Sequence, residues 1–294
     1  MTSRRDWARA ALTRALRIRR SAGIGLGSPI CPFDLAEQLG VEVWFSDISS
    51  MEAMYVCDGR PLILVGSNRP PGRQSYNCAH ELGHHVFRHG SKVDQIISEN
   101  GNSIGRGTQE FAANVFAGFL LMPKTTVTRG FEDRGWRPDG CTPEQAFALA
   151  NWLGVSYEAL ITHMTWSLHL LSRNHGDQLL RVHLTEIRTR LGSPDPSSPL
   201  VFADRRWKGR AIDVQVGDFI LAPSGAIIQD AITERVEHSQ PAVLLRAVRP
   251  GIGQLLLADG TWSSYIRVAR KGYVGRGIYR HLEDPDSDSR NATS

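Results

Sequence analysis

The sequence contains no long hydrophobic run. Its 294 residues are 41% hydrophobic and 22% charged, and no segment approaches the roughly eighteen consecutive apolar residues of a membrane-spanning helix. The charges near the start of the chain are not followed by an apolar segment, so we expect no secretory signal there. This composition predicts a globular protein without membrane association that is large enough for two domains.

Cysteine is scarce, and no two cysteines form a C-x-x-C pair. Cys31, Cys57, Cys78 and Cys141 are widely spaced, which excludes a zinc knuckle and a thioredoxin-like motif. In a chain without an export signal, such cysteines are expected to be reduced or buried thiols. The predicted compartment is therefore the cytoplasm.

The positive charge is small in total and concentrated near the start of the chain. The net charge is +4, and residues 1–20 contain seven arginines with a single acidic residue. Apolar residues recur there at helical spacing. We interpret this segment as an amphipathic helix with a solvated basic face, rather than as a nucleic-acid contact or a transit peptide.

The pattern of apolar residues in the first half predicts a mixture of helices and strands. Expected helices cover about 4–20, 32–38, 74–89 and 109–121, and expected strands cover 41–45, 54–57 and 61–65. The last two strands flank Asp58-Gly59, a turn typical of a β-hairpin. A loop rich in Ser, Asn and Gly is expected from 91 to 107.

Residues 142–164 have the spacing of a helix-turn-helix segment. Thr142 and Gln145 form a capping pair at the start of the first helix. Gly154 provides the turn, and Ser156 caps the second helix. That helix, SYEALITHM, has neither Lys nor Arg, which favours a structural or partner-docking role over DNA reading. Two more helical stretches are expected at about 165–173 and 178–190.

The last third of the chain differs in composition. GSPDPSSP at 192–199 reads as a linker, and 200–281 alternates short apolar segments with turn residues, as in a small β-barrel or sandwich. That region has twelve basic residues, seven acidic residues and several aromatics. Such a mixture suits nucleic-acid or peptide binding, but it equally suits an ordinary β-barrel, which we favour. The polar tail at 282–294 is expected to be disordered.

His-Glu-Leu-Gly-His at 80–84 is the most informative motif in the chain. His80 and His84 lie four residues apart on a predicted helix, so both imidazoles share one face and can chelate one ion. Glu81 lies about 100° further round, where a carboxylate reaches a water at the metal without ligating the ion. His85 and His89 face other directions, and we expect them at the surface or supporting the site from outside.

A metal site of this kind needs a third protein ligand. A metzincin would continue with glycine and histidine, but Phe87 and Gly90 occupy those positions, so that class is excluded. The next predicted helix offers Glu110, followed one turn later by Asn114, and its small residues would allow close packing against the motif helix. A first-turn carboxylate is also favoured by the helix dipole. Glu110 is thus either the third ligand or a solvated first-turn residue.

Two segments of the chain resemble the ImmA/IrrE family of metallopeptidases. RQSYNCAHELGHHVFRH at 73–89 matches the family's R-x-x-x-x-x-A-H-E-x-G-H helix, and EFAANVFAGFLLMP at 110–123 matches its E-x-x-A-N-x-F-A-x-x-L-L-M-P helix. PFDLAEQLGVEVWF at 32–45 is similar to the helix and strand that precede them. The resemblance covers roughly 5–165, and it is specific because two independent motifs occur in order at the right separation.

The resemblance implies a site and an activity. The site would hold Zn²⁺, or alternatively Mn²⁺, through His80, His84 and Glu110. Glu81 would be the base, and Asn114 would orient a ligand histidine. Family members often cleave a helix-turn-helix transcriptional repressor, or promote its cleavage, in stress or mobile-element responses. The implied function is therefore zinc-dependent cleavage of a specific regulatory protein.

The predicted fold class is α+β. A zincin-like metallopeptidase domain at 1–135, with a small sheet beside the HExxH helix, is followed by a helix-turn-helix-like segment at 136–191. The linker at 192–199 then leads to the β-rich domain at 200–281, whose role is unassigned. The alternative function is a metal-bound sensor or binding module that acts on a partner or on nucleic acid without proteolysis, where Glu81 would be dispensable.

Two further expectations concern the substrate. An extended peptide is expected to add a strand to the edge of PLILV at 61–65. Candidates for stabilising the negative charge that develops on the carbonyl oxygen are Tyr55, Tyr76, His85 and Arg88.

Overall fold

The computed structural model describes residues 3–90, 104–238 and 241–282. Most of the loop predicted at 91–107, and all but the first residue of the tail predicted at 282–294, lie outside these ranges. Residues 104–107 are described, and they belong to a helix rather than to a loop.

Contacts divide the chain into two compact units, each assembled from separate stretches of sequence. Unit 1 comprises Met1–Cys141, Leu153–Gly176 and Val274–Ile278, and unit 2 comprises Thr142–Trp152, Asp177–Tyr273 and Tyr279–Ser294. Residues 142–152 therefore group with the β-rich part of the chain. The domain boundaries inferred from the sequence remain a prediction.

Unit 1 contains the helices and strands predicted for the first half of the chain, with shifts at their ends. They are α1 (Arg4–Ser21), α2 (Pro32–Gln38), β1 (Glu42–Ser46), β2 (Ala53–Val56), β3 (Leu62–Gly66), α3 (Pro71–Phe87) and α4 (Ile104–Leu121). A further helix, α5 (Lys124–Glu132), was not predicted. α3 begins earlier than predicted because proline is well suited to the first helical turn. It ends before Gly90 because Arg88 adopts the left-handed conformation, with φ of 56°.

A four-stranded sheet in the order β12–β1–β3–β2 packs against α3, where β12 is Gly275–Arg276. β1 and β3 run parallel, whereas β2 and β12 are antiparallel to their neighbours. The predicted addition of a peptide to PLILV is wrong, because β1 and β2 already occupy both sides of that strand. Within the described residues, β2 has a strand partner on one side only and so forms an edge.

α1 packs against α4 and carries a buried arginine. The Arg19 guanidinium donates to the carbonyls of Leu120 at 2.6 Å and Gly25 at 3.0 Å, and also to that of Ser28. Leu120 lies in the last turn of α4, where carbonyls lack partners within the helix. Burial lowers the pKa of Arg19 to about 10. The amphipathic helix is confirmed, but the solvated position predicted for Arg19 is wrong. Its guanidinium is buried against the C-terminal end of α4, where a positive charge interacts favourably with the helix dipole.

The two helices predicted within 142–164 are α6 (Pro143–Leu153) and α7 (Tyr157–Trp166). Gly154 has φ of 70° between them, and the Ser156 hydroxyl accepts a hydrogen bond from a backbone N–H of α7. Thr142 and Gln145 exchange backbone-to-side-chain hydrogen bonds of 3.0 and 3.3 Å. These bounds and caps agree with the prediction, and the function of the segment remains a prediction.

The boundaries predicted between 165 and 190 are wrong. The structure has α8 (Arg173–Leu180) and α9 (Leu184–Arg190) there. The first predicted stretch fails because His169 has φ of 53°, which a right-handed helix does not allow. The second is interrupted at 181–183, where His183 takes an extended conformation and begins α9.

Unit 1 buries a histidine that stays neutral at pH 7. The His163 ring on α7 donates from Nε2 to the Met122 carbonyl at 3.1 Å and meets the Phe119 ring edge-on at 5.1 Å. Burial lowers the pKa of His163 from 6.5 to about 4. Between these two values the unfolded chain binds a proton that the folded chain does not bind. The stability that His163 contributes is therefore complete above pH 6.5 and is lost as the pH falls towards 4.

This titration predicts a pH-dependent stability. Between pH 7.5 and pH 5, we expect the free energy of unfolding of the wild type to fall by about 2 kcal/mol more than that of His163→Gln. Glutamine still offers a donor to the Met122 carbonyl, but it does not titrate. Chemical unfolding followed by circular dichroism measures the difference, with His183→Gln as a control at an exposed histidine. The same pH dependence in the wild type and in His163→Gln would contradict the shift.

Unit 2 is built mainly of strands in two four-stranded sheets, ordered β5–β11–β10–β7 and β4–β6–β9–β8. The strands are β4 (Leu200–Phe202), β5 (Ala211–Gln215), β6 (Phe219–Ala222), β7 (Ala226–Ile228), β8 (Thr233–Val236), β9 (Val243–Ala247), β10 (Gly251–Leu257) and β11 (Ser263–Ala269). The β-rich character predicted for this region is confirmed. β12 differs, because it belongs to the sheet of unit 1.

Hydrogen bonds join the helical residues of unit 2 to its β-rich part. The Asn151 side chain accepts from the Phe202 N–H at 2.8 Å, and Trp152 Nε1 donates to the Arg206 carbonyl at 3.2 Å. Arg210 donates to the Trp152 carbonyl at 3.1 Å and lies over the Trp152 ring. These contacts are long-range in sequence, so helical periodicity alone could not predict them.

Two further observations concern the predicted compartment. Across 3–90, 104–238 and 241–282, no helix combines the length and the apolar character needed to cross a membrane. All four cysteines lie in these ranges, and no disulfide joins them. Burial raises the pKa of the Cys141 thiol to about 12, which keeps it protonated.

Candidate metal centre

α3 and α4 pack side by side and bring three predicted ligands together. α3 supplies His80 and His84, and α4 supplies Glu110. Because α4 begins at Ile104 rather than near 109, Glu110 lies in the second turn of this helix. The helix-dipole argument for a first-turn carboxylate is therefore wrong, and packing between the helices accounts for its position.

The three side chains form a compact triangle of donor atoms. His80 Nε2 lies 3.1 Å from Glu110 Oε2 and 3.1 Å from His84 Nε2. His84 Nε2 lies 3.4 Å from Glu110 Oε1. His84 is buried, whereas the Glu110 side chain is 37% exposed. The cluster is therefore anchored in the core on one side and reachable on the other.

The distances between the three donor atoms fit the geometry of a tetrahedral metal site. Zinc binds imidazole nitrogen and carboxylate oxygen at about 2.0–2.1 Å, which separates two ligand atoms by about 3.3 Å. The separations of 3.1, 3.1 and 3.4 Å match one face of such a tetrahedron. Two histidines and a carboxylate are also the ligand set of catalytic zinc sites that keep one position for water or substrate. The cluster is thus compatible with a metal ion.

Asn114 contacts the first of the two histidines. His80 Nδ1 lies 3.1 Å from Asn114 Oδ1, and an amide oxygen can only accept, so His80 carries its proton on Nδ1. This tautomer leaves the Nε2 lone pair directed at the cluster. The Tyr76 hydroxyl donates to the Asn114 carbonyl at 3.2 Å and ties α3 to this part of α4.

Glu81 follows His80 on α3 and is only 3% exposed. It is not one of the three clustered donors. Its carboxylate is therefore shielded from solvent, and its role as the proton acceptor remains a prediction.

Small residues allow the two helices to approach closely. A Cβ at Gly83 would lie 3.1 Å from the Ala113 Cα and 3.1 Å from Phe116 Cδ1. Ala113 and Ala117 are fully buried, so the small-residue face predicted for α4 is confirmed. Since His84 follows Gly83, the distance between the two helices also determines the distance between His84 and Glu110.

Gly83→Ala is expected to weaken zinc binding by about 10-fold and to cost about 1–2 kcal/mol of stability. The added methyl requires α4 to give by a few tenths of an ångström at Ala113, and we expect this shift to move Glu110 away from His84. Gly107→Ala is the matched control on α4, because nothing lies within 4 Å of its added Cβ and alanine favours a helix by up to about 1 kcal/mol. Thermal unfolding and zinc titration measure both effects. If Gly83→Ala behaves like Gly107→Ala, the helices are not in contact there.

Three of the four residues suggested for oxyanion stabilisation make side-chain hydrogen bonds. The Tyr55 hydroxyl lies 2.8 Å from His85 Nδ1, and Tyr76 donates to a carbonyl of α4. Burial lowers the pKa of His85. Burial raises the pKa of Tyr55, and the charge of a Cys57 thiolate would raise it further. Arg88 is the left-handed residue that ends α3. Any role for these four residues in catalysis remains a prediction.

His89, which was expected at the surface or supporting the site from outside, contacts the second of the two histidines. Its Nδ1 lies 3.1 Å from His84 Nδ1. Helical spacing places it half a turn from the metal-binding face, but α3 ends before it. Gly90, with φ of 77°, is the sequence signal that the helix ends near here, but the left-handed residue that reverses the chain is Arg88.

Comparison with known proteins agrees with this site. A family model described as an IrrE N-terminal-like domain, Peptidase M78, matches residues 36–164. No curated protein matches the chain. A solved structure of a Mycobacterium tuberculosis transcriptional regulator is similar at 20% sequence identity, with a TM-score of 0.34, over 54% of this chain and 46% of the regulator. The match therefore spans less than half of that regulator. The match to an IrrE N-terminal-like domain over residues 36–164 supports the similarity of this part of the chain to the ImmA/IrrE family of metallopeptidases.

Proposed function

We propose that the protein is a zinc-dependent endopeptidase that cleaves one specific regulatory protein. The observation that carries this proposal is the triangle of His80, His84 and Glu110, with donor atoms 3.1–3.4 Å apart. A purely structural metal site usually has four protein ligands, whereas three ligands suit catalysis. Zn²⁺ is proposed as the ion, with Mn²⁺ as the alternative.

Each residue of the cluster has a distinct task in this proposal. A divalent ion at the three ligands would polarise the scissile carbonyl and lower the pKa of the attacking water. Glu81 accepts the proton that this water loses and passes it to the leaving amine nitrogen. Asn114 holds the tautomer of His80 and so keeps Nε2 available as a ligand.

The substrate is proposed to bind as an extended segment. β2 is an edge strand of the sheet and packs against α3, which carries the motif. Its backbone N–H and C=O groups can pair with an added strand. Such binding requires a flexible stretch of the substrate, because a folded helix or strand cannot offer its backbone in this way.

A helix-turn-helix transcriptional repressor in the cytoplasm is the proposed substrate. This part of the proposal rests on the family resemblance, since many relatives act on such repressors. Nucleic acid is the less favoured partner, because the second helix of the 142–164 segment contains neither Lys nor Arg.

The test is cleavage of helix-turn-helix repressors encoded near this protein's own gene. The zinc-loaded protein is expected to cut one of them at a single site, which mass spectrometry of the fragments locates. A chelator should abolish cleavage, and added zinc should restore it. A zinc-loaded protein that binds a repressor without cutting it would instead support the metal-bound binding module.

A further inference from the structure

His89 touches the side of the His84 ring that faces away from the cluster. His84 Nε2 is the atom near His80 and Glu110, whereas His84 Nδ1 lies 3.1 Å from His89 Nδ1. The two ring nitrogens are coupled, because a proton on Nδ1 leaves the lone pair on Nε2. His89 is therefore outside the group of candidate ligands, yet it contacts the atom that sets the tautomer of His84.

We propose that His89 is a positioning residue for the metal centre. It accepts a hydrogen bond from the Nδ1–H of His84 and thereby keeps His84 Nε2 unprotonated and directed at the ion. This inference rests on the proposed function, because it concerns the same three-ligand site.

The end of α3 puts His89 in this position. The N–H of Arg88 donates to the His85 carbonyl, and the N–H of His89 donates to the His84 carbonyl, both at 3.0 Å. This pair of bonds is the Schellman motif, which requires a left-handed residue just after the helix. Here that residue is Arg88, with φ of 56°, in a conformation that glycine adopts more easily. The reversal folds residue 89 back over residue 84.

Ring packing fixes the orientation of the His89 imidazole. Its ring stacks on that of Phe87, with centroids 5.3 Å apart and planes 21° apart. Phe87 in turn meets Phe116 of α4 edge-on at 6.4 Å, and the Arg14 guanidinium of α1 lies 4.1 Å from its ring centroid. Three helices therefore contribute to the placement of a residue that follows α3.

The two candidate ligand histidines are supported in the same way. His80 donates from Nδ1 to Asn114 Oδ1 at 3.1 Å, and His84 has an equivalent contact with His89 at 3.1 Å. Metal-binding histidines generally donate their second ring N–H to an acceptor, and loss of that acceptor typically weakens metal binding by 10–100-fold. One acceptor comes from the family motif on α4, and the other comes from the turn after α3.

The test compares two substitutions that differ in the acceptor. His89→Ala removes it, whereas His89→Asn replaces Nδ1 with an amide oxygen at a similar position. We expect His89→Ala to raise the dissociation constant for zinc by about 10–100-fold and to alter the visible spectrum of the cobalt-loaded protein. The dissociation constant of His89→Asn for zinc should remain within about 3-fold of the wild-type value.

His183→Ala removes an exposed imidazole and serves as the control. Circular dichroism checks the folding of each variant.

The possible outcomes are distinguishable. Wild-type zinc affinity and an unchanged cobalt spectrum in a folded His89→Ala variant would overturn the inference and leave the proposed function intact. Equal weakening in His89→Ala and His89→Asn would also overturn it, because the acceptor would then not matter. A wild-type protein that binds neither zinc nor cobalt would refute the proposed function and this inference together.

Discussion

Replacing Glu81 with glutamine is expected to slow peptide-bond cleavage by about 10³-fold while leaving zinc binding unchanged. Glutamine has nearly the same shape as glutamate, so the buried site should accommodate it. It cannot accept a proton at neutral pH, however, so the attacking water would lose its base. Glu81 is not among the three clustered donors, which is why the metal should remain bound.

Two measurements on the Glu81→Gln variant separate chemistry from structure. Zinc content by mass spectrometry should match that of the wild type, and the rate of repressor cleavage should drop. Glu132→Gln, at an exposed glutamate of α5, is the matched control and should retain full activity. Normal cleavage by Glu81→Gln would exclude Glu81 as the base, even if the protein proved to be a protease.

Glu110→Ala is expected to weaken zinc binding by more than about 100-fold, which exceeds the usual effect of losing a residue outside the ligand set. The substitution removes one corner of the donor triangle and leaves two imidazoles, which rarely hold zinc alone. The side chain is 37% exposed, so its truncation should leave little cavity and the variant should fold. Metal loss can therefore be read as loss of a ligand.

Metal content after dialysis provides the measurement for Glu110→Ala. The wild type should retain about one zinc per chain, and the variant should retain almost none. Gln109→Ala, one position earlier on α4, is the control and should bind zinc normally. Retention of zinc by Glu110→Ala would show that another residue completes the site. It would also break the correspondence between α4 and the family's second motif.

These two experiments address different parts of the proposal. Glu110→Ala tests whether the triangle of donors binds a metal ion, and Glu81→Gln tests whether the bound metal serves hydrolysis. If metal binding requires Glu110 but the activity of the protein does not require Glu81, the protein would match the binding-module alternative. The Glu81 substitution is therefore the decisive one for function.

Local features of the chain were predictable from the sequence. The four-residue spacing of His80 and His84, the caps at Thr142 and Ser156, and the antiparallel pairing of β2 with β3 around Asp58-Gly59 all depend on nearby residues. Hydrogen bonds within a helix or a turn connect residues at most a few positions apart, so short-range periodicity predicts them. The motif on α3 belongs to this class, and so do the small residues of α4.

Other features depend on which distant segments meet. Arg19 looks like one of several solvated arginines until α4 ends beside it and supplies carbonyls. PLILV looks like an edge strand until β1 and β2 are placed on its two sides. The grouping of residues 142–152 with the β-rich unit depends on hydrogen bonds to residues about fifty positions away.

The candidate metal centre combines both kinds of information. The sequence by itself pointed to His80 and His84 as ligands and to Glu81 as the base, and the family resemblance pointed to Glu110 on the next helix. Only the tertiary structure decided that the three donors approach within 3.1–3.4 Å and that His89 returns to contact His84. The physical reason is that periodicity reports the face of a helix on which a side chain lies. The partner of that face is decided by packing between helices and by the turn that ends them.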